Sequence, residues 1–186
     1  MIGTEVLVRH AMALADPEHP PDEWELGPSS RDAAADLARR SRLGAVVGVA
    51  SSPEPKAQAT AQAFATRVGL PVVVDDRLVE AHRPWVGEGY RLAAHRYLSG
   101  DEPEGWEPRA EVAARTGAAI DELRFLHGGG ELVVVGHGLS LSLHLEAVFR
   151  GRFDPYGFWC RLAFPDAWRL DRNDLTLTRL VDHWSP

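Results

Sequence analysis

Apolar residues in this chain fall into short unbroken runs separated by longer amphipathic stretches. Glu5–Arg9 carries Val6-Leu7-Val8, and Ala45–Ala50, Val72-Val73-Val74 and Leu132–Val135 are of the same kind. Runs of this length, rich in Val and bounded by polar residues, read as strands buried on both faces. Between them, Ala57, Ala61, Phe64, Ala65 and Val68 share one helical face, as do Val112, Thr116, Ala119, Ile120 and Leu123. Further helices are predicted up to about Arg42, over Glu88–Leu98 and over Leu139–Phe149, the last apolar on most sides. Ser29 with Asp32 resembles a capping box, and Ser52, Pro53 and Glu54 suit the cap and first turn of the next helix. Phe158, Cys160, Leu162 and Phe164 alternate, as do Leu175 and Leu177, so two or three late strands are expected around a turn at Asp171–Asp174. Strands alternating with helices predict an α/β fold, a three-layer α/β/α sandwich with a mainly parallel central sheet.

Two stretches break the pattern. Asp16–Trp24 is rich in proline and charge and reads as a loop pinned by Trp24 and Leu26. Residues 76–107 are irregular at both ends, which predicts a small cap or loop insertion within a single domain spanning 1–186. A length of 186 residues fits one substantial core. The formal charge of −7 argues against a nucleic-acid surface while leaving room for a local cationic pocket. Cys160 is the one cysteine, so no internal disulfide can form, and it is expected to be a small buried residue. No run reaches the ~18 apolar residues of a membrane span, and the start lacks the basic-then-apolar pattern of a signal peptide. A cytoplasmic protein without a membrane partner is expected. The sequence carries no signal for an oligomeric state.

The polar residues at the strand exits carry the candidate chemistry. Arg9-His10 closes the first apolar run, Ser51-Ser52 the second, and Gly136-His137-Gly138 the fourth. In an open α/β sheet, ligands bind outside the carboxyl ends of the strands. An arginine fork, a helix N-terminus and Lys56 on the first turn would together suit a phosphate. No HxH or HExxH spacing occurs, so a metal site is not expected.

Taken together, these motifs resemble the histidine phosphatase superfamily, the phosphoglycerate-mutase-like fold. Val6–Ala11 is similar to its Arg-His-Gly/Ala signature, and Leu26–Ala33 to the segment before its first helix. Ala50–Ala61 resembles its Ser-Ser-Pro-x-x-Arg-Ala-x-x-Thr-Ala motif, Asp76–Glu80 its Leu-x-Glu segment, and Val133–Gly138 its second histidine motif. The resemblance covers nearly the whole chain and implies a metal-independent phosphomonoester hydrolase with no cofactor. It implies that His10 becomes a covalent phosphohistidine, that Arg9, Lys56, His137 and Gly138 hold the phosphoryl oxygens, and that Glu80 protonates the leaving oxygen. The implied substrate is a small phosphorylated metabolite; the alternatives are a phosphohistidine-protein phosphatase and a catalytically weak phosphoryl-ligand-binding protein. His10 needs a neutral attacking nitrogen, whereas His137 helps more as a cation, so their pKa values are expected to be pushed apart.

Departures from the family pattern are few. Ala11 stands for the commoner glycine, Ser30 for glycine, Asp32 for glutamine and Lys56 for arginine. The Asn that mutases carry shortly after the first motif is missing near Asp16, which argues against a dedicated mutase. His82, Arg83 and Trp85, directly after Glu80, are candidate substrate-selecting residues. Arg115 is expected at the surface or in an internal ion pair. His19, His95, His127, His144 and His183 have no motif context and are read as structural or exposed.

Overall fold

The computed structural model describes residues 3–16 and 18–182, so His183 lies outside the described residues. Its strands are β1 (Thr4–Arg9), β2 (Val46–Ser51), β3 (Val72–Val74), β4 (Glu131–Gly136), β5 (Asp166–Asp171) and β6 (Thr176–Arg179). Its helices are α1 (Pro28–Arg40), α2 (Pro55–Val68), α3 (Tyr90–Leu98), α4 (Arg109–His127), α5 (Gly138–Val148) and α6 (Pro155–Arg161). The strands form one six-stranded sheet in the order β3-β2-β4-β1-β5-β6. β3, β2, β4 and β1 run parallel, and β5 and β6 are antiparallel. The mainly parallel α/β sandwich expected from the apolar runs is what the chain forms.

Burial explains the unbroken runs. Val6, Val8, Val133 and Val135 pack under α1 and α2 with Leu37, Ala61 and Phe64. Leu7, Leu132 and Val134 point the other way, to Ile120 of α4, Leu141 of α5 and Phe158 of α6. With helices on both faces, neither side of a central strand can be polar.

Four local expectations change. α1 starts at Pro28 after Gly27, with no side-chain cap, so Ser29 and Asp32 do not form a capping box. α2 starts at Pro55, not Pro53, because Ser52 Oγ accepts from the Glu54 amide (3.3 Å) and holds residues 52–54 outside the helix. Residues 158–161 are helical rather than extended, in α6, which Asp154 caps through the Gly157 amide at 2.8 Å. Phe158 and Leu162, four apart, face the core, so Cys160, midway around the turn, is exposed rather than buried. The late strands are two, β5 and β6, around the expected turn. Trp24 Nε1 donates to the carbonyls of Asp16 and His19, both at 3.0 Å, and Leu26 is buried, so both pin their loop. No helix among the described residues is long and apolar enough to cross a membrane.

Candidate active site

Register brings the motifs together. In the parallel ladder Arg9 lies opposite Gly136 and Ser51 opposite Val135. The ladder continues one residue further, with the His10 amide donating to Gly136 O (3.1 Å) and the Ser52 amide to Val135 O (3.0 Å). Three strand exits are therefore level, and His10, His137 and Ser52 emerge side by side. The His10 and His137 rings stand 5.0 Å apart, centre to centre. β1 leads to α1 on one face and β4 to α5 on the other, which opens the crevice that open α/β sheets use for ligands.

His10 has a defined tautomer. Its Nδ1 lies 2.7 Å from Ala11 O. A carbonyl can only accept, so Nδ1 carries the proton and Nε2 keeps the lone pair. Burial pushes this imidazole well below its ordinary pKa, and the His137 ring, Lys56 and Arg9 push the same way against the Ala11 hydrogen bond. His10 is thus a neutral ring with an unprotonated Nε2 at physiological pH.

His137 is also neutral. Burial pushes it down to about 3; Glu80 opposes the shift, while Lys56, Arg83 and Arg9 add to it. Both rings are therefore shifted down rather than pushed apart, and the expectation of a cationic His137 is corrected, because burial is the largest influence on each. Its Nε2 is 2.8 Å from Ser52 Oγ and 3.1 Å from Glu54 Oε1. A carboxylate only accepts, which places the His137 proton on Nε2.

Arg9 is buried over the Phe164 ring at 3.4 Å and donates from Nη1 to Leu162 O at 3.0 Å. Burial lowers it to about 10, still a full cation at neutral pH. Its buried Nε has no protein acceptor. A buried donor of this kind costs stability unless something accepts from it, which is what a phosphoryl oxygen does. Gly138 opens α5 beside it. A Cβ here would sit 2.9 Å from Trp159 and 3.4 Å from the Arg9 guanidinium, so only glycine lets that helix end come this close.

Glu80 accepts from the amides of Ser140 (2.9 Å), Ala81 (3.0 Å) and Leu139 (3.1 Å), capping the N-terminus of α5 beside His137. Its loop is held by Arg115, the arginine expected at the surface or in an internal ion pair. Arg115 donates to the carbonyls of Arg77 (2.7 Å), Val79 (2.9 Å) and Glu80 (3.1 Å). It also pairs with Glu107 at 2.7 Å, and Glu107 binds the His82 amide at 3.0 Å.

The substrate-selecting candidates separate. Arg83 reaches the site, since its charge acts on His137 and its guanidinium lies 4.7 Å over the Tyr90 ring. Trp85, 67% exposed, meets Trp24 edge-on at 5.6 Å and forms a rim. His82 is exposed, and its backbone is tied on both sides to Glu107. His144 is buried and bonds Glu5, away from the strand exits.

Sequence reasoning missed three residues. Glu54, read as a helix-start acid, is buried and contacts Lys56, His137 and the Glu80 amide. No local signal marks it, because its place depends on α2 starting at Pro55 rather than Pro53. Lys56 also donates to Pro21 O at 2.6 Å. Tyr90 lies where Glu80, Arg83 and Arg9 all act on its hydroxyl, and burial raises it to about 12. Phe164 supports Arg9 from a segment read as strand, which no motif marks. Among the described residues, no group of three His, Cys, Asp or Glu side chains is placed to hold a metal ion.

Residues 6–162 match the model of the histidine phosphatase superfamily, branch 1. The uncharacterized protein Rv0525 of Mycobacterium tuberculosis is 33% identical over 132 residues, covering 63% of this chain. The match spans 64% of that relative's length. Mycobacterial glucosyl-3-phosphoglycerate phosphatase with inorganic phosphate superposes with a TM-score of 0.73, at 24% identity over 98% of this chain and 96% of that one. Phosphoserine phosphatase of Entamoeba histolytica with 3-phosphoglyceric acid gives 0.68 at 16% identity over 96% and 95%. At these identities the two likenesses bear on the fold.

Proposed function

This chain belongs to branch 1 of the histidine phosphatase superfamily, and on that premise we propose that it hydrolyses phosphomonoesters of small metabolites through a phosphohistidine on His10. The observation that carries the reading is the His10 ring itself. It is buried and neutral, its Nε2 is freed by the Nδ1 bond to Ala11 O, and it stands 5.0 Å from His137.

In this reading His10 Nε2 forms a bond to phosphorus as the bond to the leaving oxygen breaks. Glu80, in its protonated form, gives its proton to that oxygen. Water then attacks phosphorus and returns a proton to Glu80. The nitrogen–phosphorus bond breaks, releasing inorganic phosphate and neutral His10. Arg9, Lys56, His137 Nε2–H and the Gly138 end of α5 stabilise the charge on the equatorial oxygens. Residues 76–107 act as a small cap on a single domain. Arg83 supplies a cation beyond the phosphoryl group and Trp85 a wall. A leaving group bearing a carboxylate suits Arg83, and glucosyl-3-phosphoglycerate and phosphoserine, named for the similar structures, both carry one.

One observation favours the weaker reading, a phosphoryl-binding protein with little turnover: Glu54 already occupies Lys56. Mixing the protein with a labelled aryl phosphate separates the two. A phosphoenzyme label on His10, and its loss with turnover in His10→Ala, is expected. A label elsewhere, or full turnover in His10→Ala, overturns the proposal.

A further inference from the structure

The phosphoryl pocket contains a buried carboxylate that the reaction above does not use. Glu54 extends one oxygen to the Lys56 ammonium and the other to His137 Nε2 (3.1 Å) and the Glu80 amide (3.0 Å). It therefore bridges two of the groups that the proposed reaction assigns to the phosphoryl oxygens. Glu54 and Lys56 are each buried, so water does little to screen the pair.

The charges facing this site come from every element around it. β1 supplies Arg9 and the neutral His10, and the exit of β4 supplies the neutral His137. The segment entering α2 supplies Glu54 and Lys56, and the loop before α3 supplies Glu80 and Arg83. Tyr90 of α3 stays protonated. Asp166 also faces Arg9 and is paired with Arg179 at 2.7 Å. Asp22 and Glu23, in the turn whose Pro21 carbonyl binds Lys56, are exposed to solvent. Arg9, Lys56 and Arg83 against Glu54 and Glu80 leave one net positive charge. A phosphoryl monoanion balances that charge. A dianion leaves an uncompensated negative charge in a buried site, which is strongly unfavourable.

We propose that Glu54 is a specificity-determining residue: by cancelling Lys56 where it meets His137, it makes the site take a phosphoryl group together with one proton. The bound composition is the monoanion, or equally the dianion with its proton on Glu80, the form in which Glu80 can act as leaving-group acid. This deepens the proposed phosphatase reading and rests on the pocket being a phosphoryl site.

Binding of inorganic phosphate to the full chain tests it without turnover. Calorimetry from pH 5.5 to 8.5, in buffers of different ionisation enthalpy, counts the protons taken up. Above the second pKa of phosphate, the wild type should take up one proton per phosphate and lose affinity about tenfold per pH unit. Glu54→Gln should abolish both the uptake and the slope, with affinity at pH 8 rising about tenfold. Glu54→Asp keeps the charge and should keep the slope even if affinity changes, an outcome that a merely structural role for Glu54 does not produce. A flat wild-type profile, an unchanged slope in Glu54→Gln, or equal behaviour of the two variants overturns the inference. No phosphate binding at any pH overturns both this inference and the pocket it rests on. The expected slope without any phosphoenzyme supports the inference and overturns the catalytic reading alone.

Discussion

At the scale of single residues, chemistry follows from which nitrogen holds a proton. His10 sits at a strand end whose next carbonyl captures Nδ1, so backbone geometry leaves the lone pair on Nε2, the atom proposed to attack phosphorus. Burial then keeps the ring neutral. The same burial has a cost that appears with pH. An unfolded histidine gains a proton below its ordinary pKa, and a folded one with a depressed pKa does not. Stability should therefore fall as pH drops through about 6.5, and for His137 continue falling towards its folded value of about 3. Between pH 6.5 and 5, the His137 ring should cost about 2 kcal/mol, and His10 should act in the same direction. Urea unfolding at both pH values checks this, and His137→Gln should lose less stability across that interval than the wild type. Arg9, stacked on Phe164 with a buried unsatisfied Nε, should matter to the transition state. Arg9→Ala should lower kcat/KM by the equivalent of about 2–5 kcal/mol, measured on an aryl phosphate. Arg9 and His10 were readable from the sequence because they close an apolar run. Glu54 was not, because its role depends on a helix starting at Pro55 rather than Pro53.

At the scale of elements, the segment between β3 and α4 is the part that local pattern described least. It contains α3, and the rest is loop and short turns with little hydrogen bonding of their own. Arg115 of α4, paired with Glu107 just before that helix, orders it by binding the backbone on both sides of Glu80. Arg115→Ala should release the Glu80 carboxylate from its place at α5. The loss should then depend on the leaving group. Alkyl phosphates, which need the proton, should lose on the order of 10²-fold in kcat. A nitrophenyl phosphate, whose leaving group needs no acid, should lose far less. Equal loss on both substrates would place the effect in folding and not in acid catalysis. Arg115 lies among the apolar positions of α4, so periodicity could only leave it between a surface and an internal role. Its carbonyl acceptors lie more than thirty residues away along the chain, where no local signal reaches.

At the scale of the molecule, an acidic chain of net charge −7 concentrates three cations at one sheet edge. The other end of β1 holds a second buried charge cluster. Glu5 meets Arg172 at 2.5 Å, Arg124 at 2.9 Å and His144 at 3.2 Å, joining β1 to α4, α5 and the turn before β6. Glu5→Ala leaves Arg124 without its carboxylate and Arg172 with Asp121 alone (2.9 Å), and should destabilise the fold by about 3–5 kcal/mol in urea unfolding. Glu5 lies five residues along the strand from His10, roughly 16 Å away, so kcat/KM of the folded variant should stay near the wild type. The sequence by itself determined the four parallel strands and the helices between them, because burial on two faces demands unbroken apolar runs, but not α6, whose alternating residues read as a strand. It also determined which residues close those runs, since a strand ends where its polar residues begin. Only the tertiary structure decided that the exits of β1, β2 and β4 are level, that Glu54 lies between Lys56 and His137, and that Arg115 holds the Glu80 loop. Those facts depend on register and on contacts between distant segments, and neither leaves a period in the chain.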